Sequence, residues 1–362
     1  MARSDEHLRK RPPVDASATP IDRAIAYGCN APNPHNTQAW KLRNVSDVET
    51  VLYVDETRLL PATDPPARQI HIGCGCFIET LAVGASTMGY GTTVEDFPEG
   101  PYSVGEVGRK PVARIGLTKQ PHTGQGNLAD YIYARQTNRR PFEDTPVSDA
   151  EFAELARSVA DERVQLVGIN DRERMEPLLA IFEKAMVIEC EARHLFEETR
   201  IWFRFGEKER AQKRDGLSLP QTGITGWLRV PLLEWYLKRG DPKRWHSKRS
   251  VGAYLKVFRR GLASARGLLL LKTATNTQLD WVRAGRAYAR IGVAAAKLGL
   301  FMHPYSQVLQ EYPEMDHLQR EFNRLLDVIG EEKVQMAVRL GRGPAPYYAY
   351  RRNLDSFSKA GS

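Results

Sequence analysis

The residues best suited to chemistry in this chain of 362 residues fall in four stretches. These are Pro32-Asn33-Pro34-His35-Asn36-Thr37-Gln38, His71-x-x-Cys74-x-Cys76, Arg135-Gln136-Thr137-Asn138-Arg139-Arg140 and His303-Pro304-Tyr305-Ser306-Gln307. A guanidinium is a planar fork that grips an anion with two parallel bonds, so the arginine run has the chemistry of an anion site. Read alone, it fits the solvated end of a helix better. Side-chain amides such as those of Asn33 and Asn36 both donate and accept. The His-Cys-Cys stretch invites a metal, but its spacing matches no zinc pattern, and positions 71, 74 and 76 of one helix do not converge on a point. Buried free thiols are the expectation there, and no metal site. Gly73-x-Gly75 lacks a third glycine and a preceding strand, so it is no dinucleotide fingerprint. The sequence contains no Gly-x-x-x-x-Gly-Lys-Ser/Thr and no Gly-x-Ser-x-Gly, which leaves phosphate-loop and hydrolase chemistry without support. His35 and His303 read as loop or pocket residues rather than general bases.

The elements that must position these stretches can be read from periodicity. Ile21, Ala24, Ile25 and Gly28 share one helical face. The Pro- and Asn-rich stretch after it is a loop. Residues 51–54 form a strand. Residues 70–89 form a long apolar helix carrying Gly73, Gly75, Ala82, Gly84 and Ala85, small residues that let helices approach closely. Strands are expected near 92–96 and 112–117. A second series starts near Leu128: the start of a helix at 130–135, a helix at 149–160 capped by Ser148, a strand at 163–169, mostly helix from 173 to 205, an Ala- and Gly-rich helix at 281–298 and a strand at 334–340. Met88-Gly89-Tyr90 in the first series echoes Leu298-Gly299-Leu300 in the second. The echo suggests two copies of one α+β unit.

Length fits two units or one large domain with an insertion. Hydrophobic residues are 42% and charged residues 27%, an ordinary globular balance that excludes low complexity and wholesale disorder. Pure apolar runs are short, Leu268-Leu269-Leu270-Leu271 among them, so no membrane span is expected. No apolar core follows the first basic residues, so the N-terminus does not read as a secretory signal. Four cysteines in so long a chain are no disulfide framework, and a reducing cytoplasm is the expected compartment. The net charge of +8 is uneven: residues 200–272 hold 18 Lys/Arg against 5 Asp/Glu, whereas the rest holds 34 against 39. A basic module therefore sits in a mildly acidic body. It contains two amphipathic stretches, 227–239 and 254–260. Three readings follow: a helical hairpin with its basic residues in water, a lid or pocket wall, and a membrane-surface or acidic-partner site through 227–260. Nucleic acid is not expected, because no sequence-reading module is present.

Pro32-x-Pro34-His35-Asn36-Thr37-Gln38-Ala39-Trp40 resembles the flavin-contacting loop of the nitroreductase superfamily. Arg135-Gln136-Thr137-Asn138-Arg139-Arg140-Pro141-Phe142 resembles the same superfamily's Arg-x-Ser-x-Arg-x-Phe motif. The order is inverted, since ordinary members carry the arginine motif first. Those members are homodimers with flavin mononucleotide (FMN) between the chains. Here the Asn loop lies in the first half and the arginine motif in the second. The chain therefore resembles the Acg-like branch, in which one chain mimics the dimer. The resemblance implies an α+β nitroreductase-like fold of two tandem, degenerate halves with a basic helical insertion. Its divisions are an N-terminal mobile arm at 1–19, a first half at 20–122, a second half at 123–200 and 273–362, and the insertion at 201–272, for which a lid over the flavin is one of the three readings.

The same resemblance implies one intact site per chain. Arg135 and the Thr137 hydroxyl would hold the phosphate, with Arg351 or Arg352 beside them. Arg139 would lie nearer the pyrimidine edge. Asn33, Pro34 and Asn36 would meet ring or ribityl atoms. Tyr305, Ser306 and Gln307 would bring backbone N–H groups to flavin N5 and O4. The implied cofactor is FMN, and the implied activity is hydride transfer through N5 from a reductant such as NAD(P)H to a small electron-poor substrate, with no obligatory acid–base side chain. The reverse direction, with oxygen as acceptor, occurs in the superfamily. The alternative is an FMN-storing protein that does not turn over. A complete site within one chain makes a monomer sufficient and leaves a dimer allowed.

Overall fold

The computed structural model describes residues 10–12, 17–120, 128–238 and 242–359. In the first half, helix α1 (Pro20–Gly28) starts on a proline behind the Thr19 cap, whose hydroxyl accepts the Asp22 N–H at 3.3 Å. Strands β1 (Trp40–Ser46) and β2 (Glu49–Val54) form a hairpin. The long helix α2 (Arg68–Thr87) follows, and β3 (Tyr90–Asp96) and β4 (Ala113–Lys119) complete an antiparallel sheet of order β1-β2-β4-β3. The second half repeats this plan. Helix α3 (Asp149–Ser158) begins with a capping box between Ser148 and Glu151. Strand β5 (Val164–Ile169) precedes a run of five helices: α4 (Arg172–Glu191), α5 (Arg193–Ile201), α6 (Gly206–Lys213), α7 (Arg229–Lys238) and α8 (Lys248–Ala263). Then come β6 (Gly267–Thr273), α9 (Gln278–Lys297), β7 (Phe301–Pro304), α10 (Asp316–Leu325) and β8 (Lys333–Gly341). The second sheet is again antiparallel, in the order β5-β6-β8-β7.

The two halves meet where α2 crosses α9, and glycines make the crossing. A Cβ on Gly75 would collide with the Val282 carbonyl and lie 3.0 Å from Arg286 N; one on Gly285 would collide with the Ile72 carbonyl and lie 3.0 Å from Cys76 N. The two sets of neighbours correspond residue for residue, so a local two-fold axis passes between the glycines. Glu79 of α2 ties the helices together by accepting from Arg286 at 3.2 Å and from Arg290 at 2.5 Å. The main core runs through this crossing and takes residues from both sheets.

Four expectations need correction. The segment 201–272 is not helical to its end. Gly267–Thr273 is strand β6, flanked by β5 and β8, and its leucine run is buried on both faces of the sheet. The arm at 1–19 lies largely outside the described residues, but Lys10 and Arg11 are buried. The Lys10 carbonyl accepts the Arg351 N–H at 2.9 Å. The arm is therefore pinned at this point rather than mobile. Helix α2 is also long and apolar enough to cross a membrane, with a mean hydropathy of 1.3, yet 83% of that window is buried within the protein. The helix start expected at 130–135 is not formed: a 3₁₀ turn over Leu128–Tyr131 gives way to turn and irregular backbone.

Candidate functional site

The Asn loop is bent by a run of left-handed residues: His35, Asn36 and Gln38 all have φ near +50°. It lies against α2, where the absent side chain of Gly73 gives room to Asn33 and Pro34. The arginine loop reaches it from the second half. Thr137 bridges Met302 of β7, and Gly292 of α9 leaves space for the Arg135 side chain. Arg339 fixes the loop from beneath. It donates to the carbonyls of Arg140 at 2.8 Å and Asn138 at 3.3 Å, to Ser264 Oγ at 2.8 Å and to His303 Nδ1 at 3.1 Å.

Between these loops lie two cavities that meet at Pro32 and Tyr288. The smaller is walled by Arg135, Gln136 and Gly292. The larger, about 700 Å³, runs past Asn33, Pro34, Thr137 and Arg139 to Ser306 and Gln307 and out beneath α7 and α8. Segment 202–222 walls it. Gly216 and Asn36 exchange backbone and amide bonds at 3.1 and 3.2 Å, Gln38 donates to the Arg214 carbonyl at 2.9 Å, and Asp215 pairs with Arg58 and Arg204 at 2.8 Å each. Arg139 donates to the Gln221 carbonyl at 3.2 Å.

Three buried arginines converge behind the Asn loop. Arg135 donates to the Asn30 carbonyl at 3.1 Å, but its Nε has no partner. Arg351 donates to Asn36 Oδ1 at 2.7 Å, and its Nε too is unpartnered. Arg11 has no partner on any of its three guanidinium nitrogens. Burial lowers the pKa of each, and their mutual repulsion lowers those of Arg11 (to about 10) and Arg351 further. A buried cation without a counter-charge is costly; three together with open N–H groups form a cradle for a multiply charged anion. The fit to a phosphate rests on these orphaned donors.

The residues singled out from sequence divide accordingly. Asn33, Pro34, Thr137, Arg139, Ser306 and Gln307 line the large cavity; Arg135 and Arg351 belong to the cationic cradle. Three others are placed differently. Asn36 is buried with both ends of its amide used, donating to the Gly216 and Tyr350 carbonyls and accepting from Arg351; it positions an arginine rather than a ligand. Tyr305 points into the second-half core against Phe182 and Phe258, and its N–H donates to the Ala337 carbonyl at 2.7 Å, so the sheet takes the donor expected at the flavin. Arg352 turns from the cradle to the Gln38 carbonyl at 3.1 Å and the Ser356 carbonyl at 2.6 Å. Asn33 faces the cavity, but its oxygen already accepts the Gln38 N–H at 2.8 Å.

Sequence reasoning missed two residues. Arg11 gave one faint signal: it precedes Pro12, which favours extended backbone able to lie across a surface. Glu189, on α4, gave none. It is buried and lines the large cavity, and its Oε2 accepts no hydrogen bond. Burial raises its pKa to about 7, against the amides of Gln310 and Gln307. His35 and His303 also line this cavity. Burial keeps both neutral, and Arg139 reinforces this. The four cysteines are buried and free. His71 is held between the Ala67 carbonyl at 2.7 Å and the Tyr102 hydroxyl at 2.9 Å. No metal-binding cluster occurs among the described residues.

No family model matches the chain. An uncharacterized protein of Mycobacterium tuberculosis, Rv3127, is 25% identical over 342 residues, covering 93% of this chain and 92% of its own. Two putative NAD(P)H nitroreductases of the same organism are also similar. Rv3131 is 25% identical over 84% of this chain and 81% of its own, and acg is 31% identical over 45% of this chain and 47% of its own. The chain is similar to the Acg-like branch of the nitroreductase superfamily. Among solved structures, a nitroreductase-like family protein from Bacillus cereus matches 66% of this Acg-like chain and 97% of its own, at 12% identity and a TM-score of 0.38. In this Acg-like chain the loops that resemble the superfamily's flavin contacts come from different halves and meet at one place.

Proposed function

We propose that this protein is an FMN-dependent oxidoreductase that carries hydride between NAD(P)H and a small electron-poor organic substrate. One observation supports it above the others. Three buried arginines carry unpartnered N–H groups, and one of them, Arg135, walls a small cavity that shares Pro32 and Tyr288 with the cavity of about 700 Å³, which pairs a site for a doubly charged phosphate with space for a flat ring system. When bound, FMN supplies hydride transfer at N5. Arg11, Arg135 and Arg351 hold its phosphate, and Thr137 adds a hydroxyl. Arg139, half-buried in the cavity wall, offers a fixed cation to the ring. Pro34, Ser306 and Gln307 shape the cavity around it. Glu189 holds a proton at its carboxyl near neutral pH and faces the same space, so proton delivery to a substrate needs no histidine. The two halves arose by duplication, so one chain builds the site that two chains build in ordinary members.

The test is the absorption spectrum of the purified protein, its flavin content after heat release, and rapid mixing of the FMN-loaded protein with NADPH and NADH. A yellow protein that bleaches with either nucleotide and recovers its colour on adding an electron-poor acceptor meets the expectation. A colourless protein that takes up no added FMN refutes the cofactor. A yellow protein that neither nucleotide bleaches refutes the turnover and leaves storage of FMN.

A further inference from the structure

Helix α7 carries apolar residues on its inner and its outer face alike, with its Glu234 buried in an ion pair with Arg210. On its inner face, Val230, Leu233 and Leu237 pack on Phe203, Leu217, Leu219 and Trp245. Its outer face is largely exposed, with Arg244 over the Tyr236 ring at 5.1 Å. Leu228, Leu232 and Tyr236 recur at four-residue spacing along one stripe and are 63%, 66% and 38% exposed; Trp235 beside them is 56% exposed and Trp227 84%. Scattered exposed leucines are ordinary, but two tryptophans, two leucines and a tyrosine on one strip are not.

The surroundings of the strip say what it fits. Arg229 and Lys238 lie on α7 itself, and Lys248, Arg249 and Lys256 are exposed on α8. The segment 200–272 carries an excess of 13 positive charges. A second copy of the chain would bring a like-charged face to this one. Tryptophan and tyrosine set among cations match the boundary of an anionic bilayer, where rings sit at headgroup level and the cations meet phosphates. Five residues on this strip or its margin (Arg229, Leu232, Trp235, Tyr236 and Arg249) also line the large cavity, so the cavity opens through it.

We infer that the outer face of α7, with the basic residues of α8, docks the protein on an anionic membrane surface with the mouth of the large cavity toward the lipid. The inference stands on exposure and charge, independently of the cofactor assigned above.

Flotation of the full-length protein tests it, using vesicles of phosphatidylcholine alone and of phosphatidylcholine mixed with phosphatidylglycerol, at low and high salt. Expected is binding to the mixed vesicles that exceeds binding to neutral ones by roughly tenfold or more and falls with salt. Two doubly substituted variants, W227S/L228S and K248E/K256E, each checked for unchanged melting temperature, should lower it by roughly tenfold. None of these four residues lines the cavity. No flotation on the mixed vesicles, or flotation untouched by both variants, overturns the inference. So does a concentration-dependent dimer that W227S/L228S dissociates without any vesicle binding, which would assign the strip to a second copy. Flavin content, read on the same samples, separates the two readings. Failure to float with FMN retained sinks the docking alone; flotation by a protein that binds no FMN sinks only the cofactor.

Discussion

Replacing Arg11 by alanine should move stability in opposite directions with and without FMN. In the free protein the Arg11 guanidinium is buried beside Arg135, with all three nitrogens unpartnered. Removing it relieves a desolvated, like-charge contact, so the FMN-free variant should melt higher than the FMN-free parent. In the loaded protein the same side chain makes charge-assisted contacts to phosphate, worth about 1.5–3 kcal/mol per bond. Losing one raises the FMN dissociation constant by roughly 10- to 150-fold, and at fixed FMN the loaded variant should melt lower than the loaded parent. The assay is a thermal melt of both proteins at several FMN concentrations, together with fluorescence titration of the flavin. A crossing of the two melting curves at intermediate FMN is expected. An FMN affinity within about twofold of the parent, or an FMN-free variant that melts lower, would show that Arg11 fills a structural role and that the cradle has been misread.

Other tests address other parts of the molecule. Glu189 keeps its proton to a pH near 7 when folded but only to about 4.5 when unfolded, so the unfolded chain binds fewer protons in that window and stability falls as pH rises through it. Glu198 on α5 pushes the shift further, and Tyr254 on α8, Tyr312 and Cys190 crowd the carboxyl. Glu189→Gln should flatten the fall in denaturation midpoint between acid and neutral pH; an unchanged profile would place the titrating group elsewhere. Gly75→Ala and Gly285→Ala should each destabilise by about 1–3 kcal/mol or more, because each Cβ meets backbone. Gly252→Ala, with nothing within 4 Å in the middle of α8, should instead stabilise by roughly 0.5–1 kcal/mol; similar unfolding curves for all three would deny the close crossing. None of Cys29, Cys74, Cys76 and Cys190 should react with a thiol reagent in the native protein, since burial raises every thiol pKa. Stoichiometric labelling without unfolding would contradict that burial.

What the sequence revealed, and what it hid, follows from the range of the forces involved. Elements with a clean period were legible: α2, α9, β5 and β8 lie within a few residues of where periodicity puts them. Strand β1 was not, because Trp40 and Leu42 alternate with Lys41 and Arg43 only briefly before Asn44 and Val45 break the period, and its position depends on pairing with β2. Strand β6 was hidden by composition, since four consecutive leucines carry no period, and only two flanking strands decide that they form one. The motif loops showed which halves would meet. They could not show which way each side chain turns. Asn36 and Arg352 look like ligands because amides and guanidiniums are versatile; backbone carbonyls of Gly216 and Gln38, distant in sequence, claim them instead. Arg11 was invisible for the same reason: its meaning comes from residues 135 and 351, and its own neighbourhood in sequence reads as an arm.

The local two-fold axis also explains why one chain should carry one site. The crossing pairs Gly75 with Gly285, Ile72 with Val282 and Cys76 with Arg286, a constant offset of 210 residues. Carried along the helices, that offset pairs Gly73 with Arg283. On one side of the crossing, Gly73 and Cys76 are small and border the large cavity. On the other side the matching positions hold two long arginines. These are paired rather than open: Arg283 lies 3.5 Å from Asp161 and 3.8 Å from Asp280, and Arg286 lies 3.2 Å from Glu79. The second crevice is thus filled with side chains and neutralised by carboxylates, whereas the first keeps both space and unpaired positive charge. Flavin released by heat should therefore approach one FMN per chain. Substituting Arg283 and Arg286 together by smaller residues should not raise that number, because the opposite crevice would still lack a counterpart of the Arg11, Arg135 and Arg351 cradle. A value near two in either protein would mean that the halves are equivalent where it matters, and the asymmetry argued from Gly73, Cys76, Arg283 and Arg286 would be wrong.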